Sequence, residues 1–195
     1  VTEKQFGPGI PTPSEIAVGI DQSLTGFAIT FLSTSDPNQY STYVYKSPYS
    51  GVQRLADIRK WLEGKLNLFR DNFYLDIAME GTVLASQSAL ILGELSATVK
   101  LTLWDYFDAY DKQPHLQTPI QVSPMTLKKY ATGKGSAKKQ EMLLQIYKRW
   151  GIEFNDDNAA DSYALARLAG KISKDDVEKA VVEQIKAPKY RDQIN

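Results

Sequence analysis

Two apolar runs that each end in an acidic residue constrain this chain most. Ile16-Ala17-Val18-Gly19-Ile20 leads into Asp21, and Leu75-Asp76-Ile77-Ala78-Met79 leads into Glu80. Runs of this length and composition read as buried strands, and a carboxylate at the end of one is costly to leave without a partner. Side chains alternate along a strand. Asp21 therefore shares a face with Ala17 and Gly19, with Ile16, Val18 and Ile20 on the other side. Glu80 shares a face with Ala78, opposite Leu75, Ile77 and Met79. Small residues on the acid-bearing faces leave room for a close-packed helix or a ligand. A third acid, Asp161, opens a late helix in Asn158-Ala159-Ala160-Asp161. Carboxylates distant in sequence but placed at element ends can converge at one edge of a sheet, an arrangement that holds divalent metals for phosphoryl transfer.

Each acid also has a purely structural reading. Asp21 fits a turn after a strand. Glu80 fits a buried salt bridge. Asn158 is a good helix N-cap, which would place Asp161 at the third helical position, where the helix dipole favours an acid. Asp157 either joins Asp161 at four-residue spacing on one helix edge or lies before the helix and points elsewhere.

The remaining periodicities place the other elements. Residues 1–14, with Pro8, Pro11 and Pro13, read as an extended lead-in. Strands are expected over 15–21, 26–33, 41–46, 74–80 and 118–122, the first two forming an antiparallel hairpin. Helices are expected over 51–70, 85–110, 125–131, from a cap at Ser136, and over 159–171. Residues 173–195 read as a charged tail with helical character over 174–186. The pattern is α/β with a mixed sheet, a main domain spanning 15–172.

At 195 residues, with 43% hydrophobic and 24% charged residues, the chain has the composition of a globular protein. It has no cysteine and a single histidine, His115. Thiolate metal sites, a Cys nucleophile and disulfides are thereby excluded, and a Ser-His triad is disfavoured. No apolar run is long enough to span a bilayer and no signal segment is visible, so the expectation is an intracellular, cytoplasmic protein without membrane partners. The formal net charge of +0 hides a polarised distribution. Between Met125 and Arg149, seven basic residues face Glu141 alone, a local charge of +6. Trp150 to Ser162 then holds Glu153, Asp156, Asp157 and Asp161 and no base. A basic block beside an acidic one suits a polyanion bound next to a metal, although a lysine-rich solvated helix face gives the same pattern.

These residues also carry a family resemblance. The segments Gly19-Ile20-Asp21-Gln22-Ser23-Leu24-Thr25-Gly26, Ile77-Ala78-Met79-Glu80 and Asn158-Ala159-Ala160-Asp161 resemble the RuvC family of Holliday-junction resolvases, in the style of its shorter phage and viral members. Ser88-Ala89-Leu90-Ile91-Leu92-Gly93-Glu94-Leu95 resembles the family's helix after the catalytic Glu. Gly133-Lys134-Gly135-Ser136-Ala137-Lys138-Lys139 resembles its lysine-bearing segment. The likeness runs in order over residues 15–170. It implies an RNase H-like fold with a five-stranded mixed sheet, and a homodimer that cuts four-way DNA junctions with Mg²⁺ or Mn²⁺, two ions per site. A phage-encoded member would act in the bacterial host cytoplasm.

Carried across, Asp21, Glu80 and Asp161 would be catalytic metal ligands. The family usually has Asp or His three residues before the last Asp, where this chain has Asn158, whose amide oxygen ligates a hard cation without adding charge. Asp157 is a further ligand on this reading. Lys134, Lys138 and Lys139 would contact phosphates, with Ser136, Lys128 and Lys129 completing the DNA-facing set. Where bacterial members place an aromatic wedge after the Glu, this chain has Val83 and Leu84. Two other readings compete. One is a catalytically impaired junction-binding protein on the same fold, prompted by Asn158. The other is an actin-like ATPase or kinase-type domain, which also places an early Asp before Gly and Thr but needs a second domain and Gly-rich phosphate loops.

Overall fold

The computed structural model describes residues 2–81, 88–109 and 113–191. Strands β1 (Thr2–Phe6), β2 (Glu15–Asp21), β3 (Phe27–Ser33), β4 (Tyr40–Lys46), β5 (Phe73–Glu80) and β6 (Ile120–Val122) form one sheet in the order β1-β4-β3-β2-β5-β6. The β2–β3 hairpin is antiparallel as its short connection requires. β4 continues antiparallel to β3, and β1 to β4. On the other side β5 and then β6 run parallel to β2. The sheet has six strands rather than the five expected, because Thr2–Phe6 within the lead-in pairs with β4. Prolines follow this strand instead of interrupting it.

The alternation read from the sequence divides the core as expected. Ile16, Val18 and Ile20 of β2 and Ile77 and Met79 of β5 pack with α1 (Gly51–Leu68) and α2 (Ala89–Ala109). Ala17 and Ala78 face the other layer, made of α3 (Pro124–Thr132), α4 (Lys139–Trp150), α5 (Asp157–Ala169) and α6 (Asp176–Ile185). The helix expected from residue 85 is described from Ala89; residues 82–87, with Val83 and Leu84, lie outside the described residues. Among the described residues no helix is long and apolar enough to cross a membrane.

Helix α5 lies directly on the sheet. A Cβ at Gly19 would collide with the Ser162 carbonyl oxygen and the Ala166 amide, so only glycine permits this approach. The buried Thr30 hydroxyl sits 2.8 Å from the Ser162 hydroxyl and 2.7 Å from that of Thr42, so the polar atoms within this tight contact are mutually satisfied.

Two helix starts differ from expectation. α5 is capped by Asp156, whose Oδ1 accepts from the Asn158 and Ala159 amides, so Asn158 is the second helical residue and Asp161 the fifth. A charged acceptor in extended backbone is at least as good a cap as Asn, and Lys4 Nζ of β1, 2.9 Å from Asp156 Oδ2, holds it there. Ser136 does not cap α4, which begins after Lys138. The buried Ala137 anchors a turn closed by its amide on the Lys134 carbonyl, and this delays the helix. The charged segment after residue 172 is helical over Asp176–Ile185 and packs on the core through Val181, Val182 and Ile185.

Candidate active site

Parallel pairing of β2 and β5 brings two carboxylates together. Both strands end at the same sheet edge, and the register pairs Ile20 with Met79, one residue before Asp21 and Glu80. The Asp21 and Glu80 carboxyls lie within hydrogen-bonding reach of each other. Asp21 is buried, and its pKa is pushed well above the usual carboxylate range, first by burial and then by the Glu80 and Asp161 charges. Glu80 is also raised by burial, but the bond from Asp21 and the Lys128 and Lys139 ammonium groups oppose the rise. The rise is therefore greater at Asp21, the more deeply buried partner.

The third acid comes from the helix layer. The N-terminal end of α5 reaches the edge where β2 and β5 end, and Asp161 projects toward Glu80. Its pKa is raised to about 7, by burial first, then by the Glu80 charge, against the opposing pull of Lys139. Asp157, one turn earlier, bears on Asp161 and is ion-paired to Lys139, with Nζ 3.2 Å from Oδ2. A recess lined by Lys128, Lys139, Met142, Asp157, Ala160 and Asp161 opens beside the acids. Burial raises all three carboxyls first, and neighbouring carboxylates add to the rise at Asp21 and Asp161.

The expected site residues thus divide into three groups. Asp21, Glu80, Asp161, Asp157, Lys128 and Lys139 come together. Asn158 lies at the margin, its amide packed over Gly26 in the β2–β3 turn. Lys129, Lys134, Ser136 and Lys138 are exposed on α3 and the α3–α4 connection, outside the carboxylate cluster. Gln22 was not expected. It is 5% exposed, and its Nε2 donates to the Glu80 carbonyl at 2.6 Å, tying the ends of β2 and β5 together.

Among the described residues no three acidic or histidine side chains stand in ready metal-coordinating geometry. Asp21 and Glu80 are turned to each other and Asp157 to Lys139. The donor set nevertheless fits a hard divalent cation. All its ligands are oxygens, and their mutual repulsion is what such a cation relieves.

No family model matches the sequence, and no characterised protein matches it by sequence. Solved structures do. The Thermus thermophilus RuvC structure superposes with a TM-score of 0.59 at 18% identity, covering 90% of this chain and 98% of RuvC. The fold is that of RuvC. T. thermophilus RuvC in complex with a Holliday junction substrate matches at TM-score 0.58 and 19% identity, over 77% of this chain and 90% of RuvC. The yeast mitochondrial Holliday junction resolvase Ydc2 matches at TM-score 0.53 and 17% identity, over 92% of this chain and 82% of its own. The expected RNase H-like architecture is therefore present, with one strand more than anticipated.

Proposed function

We propose that this protein is a metal-dependent, structure-selective endonuclease that resolves four-way DNA junctions. The observation that carries the reading is the convergence of Asp21, Glu80 and Asp161 at one sheet edge, on a RuvC fold, beside Lys128 and Lys139. Asp21, Glu80 and Asp161 would hold Mg²⁺ or Mn²⁺, with Asp157 or the Asn158 amide oxygen completing the set. Bound in pairs, such ions activate a water and neutralise charge on the scissile phosphate. Lys128 and Lys139 supply positive charge at the mouth of the recess, where they attract the phosphate without reading sequence. Lys129, Lys134, Ser136 and Lys138 extend the DNA-facing surface along α3 and the α3–α4 connection. A homodimer would bring two such sites to the two strands cut, and junction selectivity would follow from dimer geometry and DNA shape.

Asn158 favours one second reading, a protein that binds junctions but cuts them poorly. Asp21→Asn and Asn158→Asp, assayed on a four-way junction with Mg²⁺, Mn²⁺ or EDTA, separate the two. On the nuclease reading wild type cuts, while Asp21→Asn, lacking a metal ligand, loses cleavage and still binds the junction. Binding without cutting by wild type, restored by Asn158→Asp, supports the second reading. An Asp21→Asn protein that cuts like wild type contradicts both.

A further inference from the structure

Gln22 has a half-used side chain. Strand β2 ends at Asp21, and the Gln22 amide nitrogen continues the pairing to β5 by donating to the Glu80 carbonyl at 2.6 Å. This bond locks the relative position of the two acid-bearing strand ends. The other half of the amide, Oε1, is buried with no hydrogen-bond partner. Gln22 is only 5% exposed, so bulk water does not satisfy it. A buried acceptor left unmade costs about 1–3 kcal/mol, and a sequence retains one where something else satisfies it. Rotating the amide by half a turn does not help, because it would set Oε1 against the Glu80 carbonyl oxygen and abolish the existing bond. The orphan is therefore fixed, and it sits one residue beyond Asp21.

We infer that Gln22 is a positioning residue of the metal centre, whose Oε1 accepts a hydrogen bond from a water in the hydration shell of the cation held by Asp21 and Glu80. The inference rests on the metal-dependent reading of those carboxylates. It gives the amide two separable tasks. Nε2 sets the spacing of the strand ends whether or not a cation is bound. Oε1 acts only when one is. An outer-shell partner of this kind changes metal affinity by about 10- to 100-fold.

The test is calorimetric titration of Mn²⁺ into the DNA-free protein, for wild type, Gln22→Met, Gln22→Glu and Asp21→Asn, with metal-free thermal melts alongside. Gln22→Met matches the shape and removes both polar atoms. It loses the Nε2 bond to the Glu80 carbonyl, as Gln22→Glu does, so it should melt lower than wild type without metal, and it should bind Mn²⁺ about 10-fold or more weakly. Gln22→Glu keeps an acceptor and loses the donor, so it should melt lower without metal and bind Mn²⁺ no more weakly than wild type. Wild-type affinity in Gln22→Met overturns the inference and leaves the carboxylate centre standing. Weakened binding in Gln22→Glu overturns it as well, and serves if Gln22→Met does not fold. Equal Mn²⁺ binding, or none, by wild type and Asp21→Asn removes the metal reading itself and this inference with it.

Discussion

At Asp161, burial and the nearby Glu80 charge hold the carboxyl near pH 7, against an ordinary value of 3.8. An acid whose pKa is raised by folding is more protonated in the native than in the unfolded state between those two values. Native stability therefore falls as pH rises from about 4 to about 7. Without metal, the protein is expected to melt a few degrees higher at pH 5.5 than at pH 7.5, since about 1 kcal/mol moves the midpoint of a domain this size by about 2–4 °C. Asp161→Asn should raise the midpoint at pH 7.5 and flatten the profile. Thermal melts across this range check it, and a lower midpoint for Asp161→Asn at pH 7.5 contradicts it. The acids themselves were legible because each ends or opens an apolar element. Gln22 was not, since no pattern in the sequence distinguishes a turn glutamine from one that continues a ladder through its side chain. Nor was the state of Asp157: its spacing to Asp161 is visible, but its pairing with Lys139 depends on how α4 meets α5.

Helix α5 positions Asp157 and Asp161, and its start is set by Asp156. That cap receives two amides and a lysine from β1, so an edge strand is linked to the helix that completes the site. Asp156→Ala is expected to destabilise the protein by about 1 kcal/mol, the usual loss for a cap. Lys4→Ala should matter less, by under about 1 kcal/mol, because Lys4 is exposed. Chemical denaturation measures both, and an unchanged midpoint for Asp156→Ala would show that the cap does not hold α5. The sequence placed this helix within two residues but assigned the cap to Asn158. Four consecutive residues there, Asn155 to Asn158, are Asp or Asn, all competent caps, and only the Lys4 contact from the far end of the chain favours one of them. The start of α4 was hidden for a related reason: burial of Ala137, a tertiary fact, overrides the local preference of Ser136 for a cap.

On the scale of the whole molecule, the two chain ends close the structure. β1 covers one edge of the sheet, and at the other edge Arg191 bridges Ile120 while its guanidinium binds the buried Asp76 at 2.6 Å. The central strands and their two-sided burial were readable from alternation, as was the mixed sheet. The ends were not, because prolines near β1 and charge in α6 resemble solvated segments, and their partners, β4 and α3, are distant in sequence. Removing residues 173–195 is expected to strip Val181, Val182 and Ile185 from the core and leave Asp76 without its cation. Breaking a buried ion pair on one side alone costs about 3–5 kcal/mol. The truncated protein should be insoluble or melt at least about 10 °C lower by the same size scaling. A truncated protein that melts like the full chain would return that segment to the status of a tail.

The proposed function requires three carboxylates from β2, β5 and α5 to form one junction-cutting metal centre. Strand-specific mapping of nicks on an end-labelled four-way junction, against a matched linear duplex, with Mn²⁺ or EDTA, tests it most directly. Paired, symmetric, Mn²⁺-dependent nicks are expected in the junction and none in the duplex. Neither binding nor nicking of the junction, or equal nicking of the duplex, would contradict it.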